Sequence, residues 1–324
     1  MNINILILSA GRRVELVNCF KEAAKKLNIV SNIVTADISE TAPAIYFGNK
    51  NYIIPRIGEE NYISSIIDIC NREEIRLVVP TIDTELEILA NNKEFIEGNS
   101  KAKVLVSNKE VIKICRNKIN TSHFFETNGF GTPKNISEND IKEGRYRFPL
   151  FIKPLDGSSS INTFRVNNRL QLDFFIKYVE NPMIQELIEG REYTIDAFID
   201  FEGNPITIVP RERIATRSGE ISKGRIVKDR EIIEEVREVI NVLKPIGHIT
   251  LQCMKTRDGI KFIEINPRFG GGAPMSIKAG ANSPMNLYKL LMGEKLSYNE
   301  YYEDNMMALR FDDSIFINSN GEVV

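Results

Sequence analysis

The sequence has no long apolar run and only four cysteines, and both shortages narrow what the protein can be. Every hydrophobic stretch is broken by Lys, Glu, Asp or Asn within a few positions, whereas a membrane-spanning helix needs ~20 apolar residues in succession. The cysteines lie far apart, at Cys19, Cys70, Cys115 and Cys253, and none forms a CxxC pair. We therefore expect no membrane span, no disulfide framework and no thiolate metal site, but buried, reduced thiols.

The chain also lacks a strong net charge, and its first residues do not show the pattern expected of a targeting leader. The 42 Lys and Arg residues are balanced by 44 Asp and Glu residues, for a formal charge of -2, so no overall field would attract nucleic acid or an anionic membrane. The apolar start NINILILSAG has neither a basic leader nor a small-residue cleavage site, and we interpret it as a first buried strand. A cytoplasmic protein with locally built anion sites is expected.

Two glycine-rich nucleotide fingerprints are absent. The first turn, SAGRRVEL at residues 9–16, has a single glycine, so the GxGxxG pattern that would favour a nicotinamide-dependent dehydrogenase is missing. The later loop FIKPLDGSSSIN, at residues 151–162, does not follow the GxxxxGK[ST] order of a Walker A loop. Any nucleotide must be held by another arrangement.

Short apolar strands alternate with amphipathic helices in the first third of the chain. Strands are expected near residues 3–8, 30–37, 52–54, 77–79 and 103–106, with helices from about residue 12 and near residue 62. This alternation is typical of an open parallel sheet covered by helices. The sequence predicts an α/β class with a Rossmann-like first lobe.

From residue 148 the pattern changes to β-branched runs joined by tight turns. The runs PLFIKP, INTFRV, MIQELI, EYTIDAFI and NPITIVP predict mainly antiparallel sheet, which gives this part α+β character. Ser107 and Glu110 predict a capping box before it, and Ser283-Pro284 predicts an N-cap followed by a first-turn proline. Further helices are expected over residues 117–127 and 229–243, and a strand pair over 248–256 and 260–265.

In FIKPLDGSSSIN, a lysine, Lys153, ends an apolar strand just before a loop rich in glycine and hydroxyl groups. Backbone N–H groups of such a loop can close over phosphate oxygens while the lysine supplies a point charge. A surface hairpin with a serine-rich tip is an equally good reading of this segment alone.

The segment QELIEGREYTID, at residues 185–196, joins two strands through Glu189-Gly190. Extended backbone at Glu186, Leu187 and Ile188 can offer the acceptor and donor that an adenine edge requires, and Glu192 can accept hydrogen bonds from ribose hydroxyls. Taken alone, an ordinary hairpin with a solvated acidic face explains it better.

The strongest pattern is LQCM, at residues 251–254, followed across an Asp-Gly turn by KFIEINPRFGGG, at residues 261–272. Glu264 and Asn266 are two residues apart on a strand and therefore share a face, which Gln252 on the neighbouring strand can join. Three oxygen ligands that converge in this way suit Mg²⁺. Arg268 follows directly, placed to meet the anionic oxygens of a phosphorylated group.

Together and in this order, these elements resemble the ATP-grasp superfamily, and within it the carbamoyl-phosphate synthase large-subunit-like proteins. The resemblance spans nearly the whole chain and implies a Rossmann-like lobe over residues 1–108. Linker helices and a small central lobe would follow over residues 109–183, and a C-terminal lobe over 184–324. ATP would lie between the antiparallel sheets of the last two lobes.

The resemblance also implies roles for individual residues. Lys118 and Lys153 match the paired basic residues on the ATP phosphates, and Glu192 matches the ribose-binding acid. The phosphate-loop positions are Asp156, Gly157, Ser158, Ser159 and Ser160; the adenine-binding positions are Glu186, Leu187 and Ile188. The Mg²⁺ ligands are Gln252, Glu264 and Asn266, and Arg268 steadies an acyl phosphate, with Lys153 and Arg268 as the catalytic pair. One or two ions are implied, with Mn²⁺ as a substitute; many members have an acid where Gln252 stands, which would weaken one of two ions.

A substrate site is predicted in two regions. Arg211, Arg213 and Arg217 follow a strand in PRERIATRSGEISKGR, at residues 210–225, and arginine forks suit carboxylate or phosphate groups; a solvated basic loop is the alternative. In the first lobe, Arg12 and Arg13 at a helix start would bind an anionic group. Asp37 or Asp83 at strand ends would meet an amine.

The function expected is an ATP-dependent ligase that activates a small carboxylic acid as an acyl phosphate and joins it to an amine or similar nucleophile. A bicarbonate-using, carboxyphosphate-forming enzyme and a nucleotide-binding regulatory protein without turnover are the alternatives. The expected partners are small molecules and a second copy of the chain in a homodimer, with neither nucleic acid nor membrane. The residues do not identify the acid, the nucleophile or the pathway.

Overall fold

The computed structural model describes residues 2–156, 161–217 and 219–324, whose strands form three sheets. The strands are β1 (Asn4–Ile7), β2 (Ile33–Asp37), β3 (Lys50–Ile53), β4 (Ile75–Val79), β5 (Lys103–Val104), β6 (Leu150–Pro154), β7 (Phe164–Val166), β8 (Pro182–Glu186), β9 (Arg191–Ile199), β10 (Pro205–Arg217), β11 (Glu220–Ile226), β12 (Gly247–Thr256), β13 (Gly259–Asn266) and β14 (Met307–Leu309). The helices are α1 (Val14–Lys26), α2 (Tyr62–Arg72), α3 (Leu86–Asn99), α4 (Lys109–Arg116), α5 (Lys118–Thr127), α6 (Glu138–Lys142), α7 (Arg169–Tyr178), α8 (Arg230–Leu243), α9 (Ala273–Lys278) and α10 (Ser283–Leu291).

The first lobe is a five-stranded parallel sheet with the order β3-β2-β1-β4-β5. Its central strands β1, β2 and β4 are largely buried on both faces because helices cover both sides. Ile5 and Ile7 pack with Phe20 of α1 on one face, and Leu6 packs with Ile66 of α2 on the other. The predicted Rossmann-like lobe is confirmed.

The second sheet is small and antiparallel, with the order β7-β6-β8. Its core joins Leu150 and Ile152 of β6 to Leu172 of α7 and Ile184 of β8. Strand β8 crosses the predicted boundary between residues 183 and 184, since Ile184 pairs with Ile152 inside this sheet. The three domain ranges themselves stay predictions.

The third sheet has six strands in the order β13-β12-β9-β10-β11-β14. One face packs against α8, where Ile232, Val236 and Ile240 meet Ile195 and Ile249 of the sheet. The neighbouring pairs are antiparallel throughout, from β13 with β12 to β11 with β14. This confirms the predicted antiparallel second half of the chain.

An apolar contact joins the first lobe to the segment that follows β13. Phe20 of α1 meets Phe269 and Tyr288 edge to face, with ring centroids 5.9 and 6.2 Å apart. This geometry is favourable for aromatic pairs. It fixes the segment after β13 against the first lobe.

Two predicted helix starts are wrong by one residue. Asn108, not Ser107, caps α4 by accepting a hydrogen bond from Val111 N at 2.9 Å, while Ser107 Oγ accepts from Ile246 N. Asn282, not Ser283, caps α10. An asparagine side chain caps a helix as well as serine does. In each case the cap is the asparagine next to the predicted serine.

The last strand of the first lobe is also shorter than expected, Lys103–Val104 instead of residues 103–106. No helix within the described ranges is both long and apolar enough to cross a bilayer.

Candidate functional site

Two cavities meet on the face of the third sheet that is turned away from α8. The small-lobe cavity, about 340 Å³, is lined by residues of β6, β8, β12 and β13. The first-lobe cavity, about 440 Å³, is lined by the loop after β4, the turn of β10 and β11, and the glycine-rich segment 270–272. Five of the residues that the structure describes border both cavities: Lys118, Arg213, Gly219, Gln252 and Glu264.

The small-lobe cavity brings together six of the residues predicted to bind a nucleotide: Lys118, Lys153, Glu186, Leu187, Ile188 and Glu192. Glu186, Leu187 and Ile188 line one wall, with Lys153 and Glu192 nearby. The Glu186 carboxylate accepts a hydrogen bond from Lys134 N at 2.9 Å, and Leu187 N donates to Pro149 O at 3.4 Å. These bonds fix the course of the extended segment past the cavity.

Lys153 and Lys118 place two amines beside one carboxylate. The Lys153 side chain is buried, and burial lowers the pKa of its amine to about 8, with Glu264 opposing this effect and Lys118 adding to it. Lys118 Nζ donates to Leu155 O at 2.7 Å, and burial likewise lowers its pKa, opposed by Glu264 and Asp156. The two lysines thus concentrate positive charge where the cavities meet.

Glu192 and Arg213 form an ion pair at the border of the two cavities, with 3.0 Å between Arg213 Nε and Glu192 Oε1. Burial raises the pKa of Glu192, and Arg213 opposes this rise. Arg213 also donates to Gly219 O at 2.9 Å, which ties the β10–β11 turn to the site.

Three side-chain oxygen groups lie on adjacent strands, as the sequence predicts. Gln252 of β12 is paired in register with Glu264 of β13, and Asn266 Nδ2 donates to Glu264 Oε1 at 2.9 Å. All three line the first-lobe cavity. Within the described ranges no group of three or more His, Cys, Asp or Glu side chains could hold a metal ion, so a cation site here would use one carboxylate and two amides.

Arg268 reaches from the end of β13 to the first lobe. Its guanidinium pairs with the carboxylate of Asp83 and donates from Nη1 to Phe269 O at 3.1 Å. Both Arg268 and Asp83 line the first-lobe cavity. A second contact across the same cavity joins Arg13 Nη1 to Glu220 Oε1 at 3.0 Å.

The predicted arginine cluster after a strand is wrong in its placement. Arg211, Arg213 and Arg217 all lie within β10 itself, which extends to Arg217. Arg211 is buried and paired with Asp196, whereas Arg217 is exposed and paired with Asp312. The β10–β11 hairpin is longer than expected, so the three side chains reach different surroundings.

Three predicted substrate residues line neither cavity: Arg12, Asp37 and Arg217. Arg12 is exposed and lies 3.8 Å from Asp312. Asp37 instead accepts hydrogen bonds from Gly11 N at 2.8 Å and Ser39 N at 3.1 Å, and so shapes the turn after β1. Of the predicted phosphate loop, Asp156 lines the first-lobe cavity, and Gly157, Ser158, Ser159 and Ser160 lie outside the described residues.

Several cavity residues are not among the predicted ones. Thr81, Arg116, Glu220 and Thr250 line the first-lobe cavity, and the buried Asp196 stands behind Arg211. An acid inside the apolar run EYTIDAFI is an unusual residue for a buried strand, and this was the one signal in the sequence that could have identified Asp196.

Two domain families match the sequence. Residues 5–102 match the PylC-like N-terminal domain, and residues 115–272 match the ATP-grasp domain. These matches agree with the fold, in which the parallel lobe precedes the two antiparallel sheets around the cavities.

The sequence is also similar to those of individual proteins. The chain is 26% identical over 229 residues to the tyramine--L-glutamate ligase of Methanocaldococcus jannaschii, covering 69% of this chain and 66% of that protein. It is 22% identical over 285 residues to the carbamoyl-phosphate synthase of Methanobrevibacter smithii, covering 82% of this chain and 76% of that protein. The chain thus spans just under two thirds of the first of these relatives.

A solved structure extends the likeness to the fold. The biotin carboxylase domain of the Hydrogenobacter thermophilus 2-oxoglutarate carboxylase, a dimer in complex with MgADP, ADP and bicarbonate, has a TM-score of 0.74 at 17% identity, covering 94% of this chain and 73% of that chain. The ATP-grasp match over residues 115–272 and the similar fold confirm the resemblance to the ATP-grasp superfamily.

Proposed function

We propose that the protein is an ATP-dependent ligase that activates a carboxylic acid as an acyl phosphate and joins it to an amine. Support comes from the matched ATP-grasp domain and from the ligase relative. The observation that carries the proposal is the shared border of the two cavities, where Lys118, Gln252 and Glu264 belong to both. Such a border is where a phosphoryl group would pass from a nucleotide to an acid.

In this proposal the nucleotide occupies the small-lobe cavity. Glu186, Leu187 and Ile188 would meet the adenine through their backbone, and Glu192 would accept hydrogen bonds from the ribose. Lys118 and Lys153 would neutralise the phosphates. Burial favours this role for Lys153, because a cation with few neighbouring waters interacts more strongly with an anion.

Gln252, Glu264 and Asn266 fit a Mg²⁺ ion, because all three offer hard oxygen donors beside the two lysines. When bound with the nucleotide, Mg²⁺ would neutralise phosphate charge. One carboxylate and two amides form a weakly charged set, so we propose that most of the other ligands come from phosphate oxygens and water. One or two ions, and Mn²⁺ as a substitute, are compatible with this set.

The reaction proposed has two steps. A carboxylate oxygen of the acid in the first-lobe cavity bonds to the γ-phosphorus while the bond to ADP breaks, giving an acyl phosphate. The amine nitrogen then bonds to the carbonyl carbon, phosphate leaves, and the proton that the amine loses passes to phosphate or solvent. Positioning and charge neutralisation account for most of the catalysis of phosphoryl transfer, and Arg268 would steady the acyl phosphate.

The first-lobe cavity supplies groups for both substrates. Arg13, Arg211 and Arg213 are candidates for anionic groups, and Asp83 is a candidate for the amine. Asp83 is paired with Arg268, so a bound amine would compete with Arg268 for this carboxylate. Arg12, Asp37 and Arg217 are weaker candidates, since they line neither cavity.

The test is Mg²⁺-dependent release of ADP and phosphate from ATP across a panel of carboxylic acids and amines, with bicarbonate included. Wild type is compared with Lys153→Ala and with Lys177→Ala, an exposed lysine of α7 that lines neither cavity. We expect one acid-amine pair to stimulate release in wild type and Lys177→Ala and to lose its effect in Lys153→Ala.

Other outcomes would change the assignment. Stimulation by bicarbonate without an organic acid would point to a carboxyphosphate-forming enzyme. Nucleotide binding without stimulation by any member of the panel would support a regulatory protein without turnover.

We also propose that the protein forms a homodimer. The biotin carboxylase domain with the similar fold is described as a dimer. Light scattering during size-exclusion chromatography would test this, and a mass near that of one 36.9 kDa chain would refute it.

A further inference from the structure

A buried charged cluster lies behind the first-lobe cavity. In the function proposed above, Arg211 is only one of three candidates for anionic groups, and Asp196 has no role. The centre of the cluster is Asp196 of β9, whose side chain is 1% exposed. Asp196 accepts hydrogen bonds from Arg211 Nε at 2.6 Å and Arg211 Nη2 at 3.0 Å, and another from the Ser276 hydroxyl of α9. The fork of Arg211 is therefore fixed in its plane by two bonds to one carboxylate.

Folding alone does not account for this ion pair. Removing two charges from water costs about as much as their attraction returns, so a buried pair adds little net stability. Burial by itself would raise the pKa of Asp196, but the charge of Arg211 and the proximity of His248 hold it well below its usual range. Asp196 therefore stays ionised and keeps Arg211 in place.

The third nitrogen of Arg211 has no oxygen partner among the described residues. Within the part of the chain that the structure describes, the one hydrogen-bond partner of this nitrogen, Nη1, is Met275 Sδ, at 3.9 Å, and thioether sulfur is a weak acceptor. Arg211 is only 1% exposed to solvent, and it nevertheless lines the first-lobe cavity. A buried arginine with two nitrogens fixed and one unused is suited to bind an anion in that cavity.

The glycine-rich segment lies directly on the arginines. A Cβ atom added to Gly272 would lie 2.5 Å from Arg211 Nη1, and one added to Gly271 would lie 2.5 Å from Arg13 Nη1. Both positions must therefore lack a side chain for the guanidinium groups to remain where they are. The backbone of the segment covers Arg211 and limits how far it can move.

We propose, on the basis of the ligase function above, that Arg211 binds a carboxylate of the substrate in the first-lobe cavity and that Asp196 is its positioning residue. The two bonds to Asp196 already fix the guanidinium in the unbound protein. Binding of the carboxylate at Nη1 therefore does not have to order the Arg211 side chain. A lysine at this position carries the same charge but lacks the fork, and it would bind more weakly.

Acetate is the probe, because it is the smallest stable carboxylate with a methyl group and needs no knowledge of the true substrate. It replaces chloride at constant ionic strength while the imidazole signals are followed by NMR. The sequence has only two histidines. His248 Nε2 lies 3.6 Å from Asp196 Oδ1 and reports on the cluster, whereas His123 is exposed, lines neither cavity and serves as the reference.

We expect a saturable shift of the His248 signals in wild type with no shift of His123. In Arg211→Lys the apparent acetate affinity should fall about tenfold or more, as for loss of a charge-assisted hydrogen bond. No saturable shift in wild type, or equal affinity in wild type and Arg211→Lys, would overturn the assignment of Arg211.

Ser276→Ala tests the positioning role without removing a charge from the interior. The substitution deletes one hydrogen-bond donor to Asp196, and Ser276 lines neither cavity. The variant should therefore fold, and we expect its acetate affinity to fall a few-fold. In the double variant Ser276→Ala/Arg211→Lys this second effect should disappear, because it acts through Arg211. Additive effects would show that Asp196 and its partners do not position Arg211.

Mg-ADP binding, measured by calorimetry in the same variants, separates this inference from the ligase proposal. Equal affinity in wild type and all variants shows that the fold and the small-lobe cavity are intact, so that a loss of acetate binding belongs to Arg211. If Mg-ADP does not bind to wild type, the ligase proposal fails while the acetate titration still decides the role of Arg211. Weakened Mg-ADP binding in Ser276→Ala would show a general structural role and overturn the positioning role.

Discussion

Replacement of Glu85 by glutamine should make the protein relatively more stable at alkaline pH. Glu85 lies in the turn after β4 and is fully buried. Its Oε1 accepts hydrogen bonds from the Ser9 hydroxyl and from Tyr62 OH, the latter at 2.8 Å. Burial raises the pKa of this carboxyl from 4.5 to about 7, although the bonds from Ser9 and Tyr62 oppose the rise.

The direction of the pH effect follows from the raised pKa. Between pH 4.5 and about 7 the folded protein keeps a proton on Glu85 that the unfolded chain releases, so the free energy of unfolding falls as pH rises through this window. The favourable term is fully present below pH 4.5 and lost above about pH 7. A shift of this size corresponds to about 3 kcal/mol as an order of magnitude.

Urea unfolding at pH 5 and pH 8 would measure this, with tyrosine fluorescence as the signal because the chain has ten tyrosines and no tryptophan. Glutamine mimics the protonated carboxyl, so Glu85→Gln and wild type should be similar at pH 5, and the variant should be more stable by up to about 3 kcal/mol at pH 8. Glu87→Gln, at an exposed position of α3, is the matched control and should show no such difference.

The reasoning would be refuted if the difference in unfolding free energy between wild type and Glu85→Gln were the same at both pH values. That result would mean that Glu85 is ionised in the folded protein at pH 5, despite its burial.

Three further predictions concern the site and its support. Glu264→Gln should reduce Mg²⁺-dependent ADP release by about 100-fold or more while leaving the melting temperature unchanged, since a proposed metal ligand would be lost. Normal turnover would remove this residue from the proposed metal site. The pKa of Lys153 is lowered to about 8, and a polyphosphate should bind the protonated amine. The Kd for Mg-ADP, measured by calorimetry, should therefore rise by up to about tenfold per pH unit above pH 8. The variant Lys153→Met should show no such pH dependence. Phe262→Ala should lower the free energy of unfolding by about 3–5 kcal/mol, since Phe262 is fully buried and its ring stacks on Phe125 with centroids 5.0 Å apart; a loss below about 1 kcal/mol in urea unfolding would contradict the packing.

The architecture was predictable because its periodic signals are local. Alternating strands and helices give the parallel first lobe, and β-branched runs with Asp-Gly turns give the antiparallel sheets. The pair Gln252 and Glu264 was predictable for the same reason, because a short turn joins β12 to β13 and fixes their register.

Whether a side chain faces the cavity or the core was harder to predict within a tight turn, where neighbouring residues point in different directions. Asp83 and Glu85 are two positions apart in a single turn of 3-10 helix. Asp83 faces the first-lobe cavity and pairs with Arg268, whereas Glu85 is buried under the turn after β1. Strand periodicity does not apply to such a turn, so the sequence could nominate Asp83 without indicating that Glu85 lies in the core.

The remaining site residues could not be assigned without the register between strands that are distant in sequence. Asp196 is paired with Val209 on one side and with Thr250 on the other, so its diagonal neighbour on the same face is Arg211. Since Thr250 is paired with Asn266, the same face continues to the proposed metal ligands.

One face of the third sheet therefore carries both the Asp196–Arg211 pair and the metal-ligand candidates, because side chains two residues apart share a face. A shift of β10 against β9 by one residue would turn Arg211 toward α8 and leave Asp196 without its partner. Register between β9 and β10 is set by the apolar contacts of the opposite face with α8, such as Ile195 and Ile208. The hydrophobic core behind the sheet thus determines which charged groups meet in the cavity in front of it.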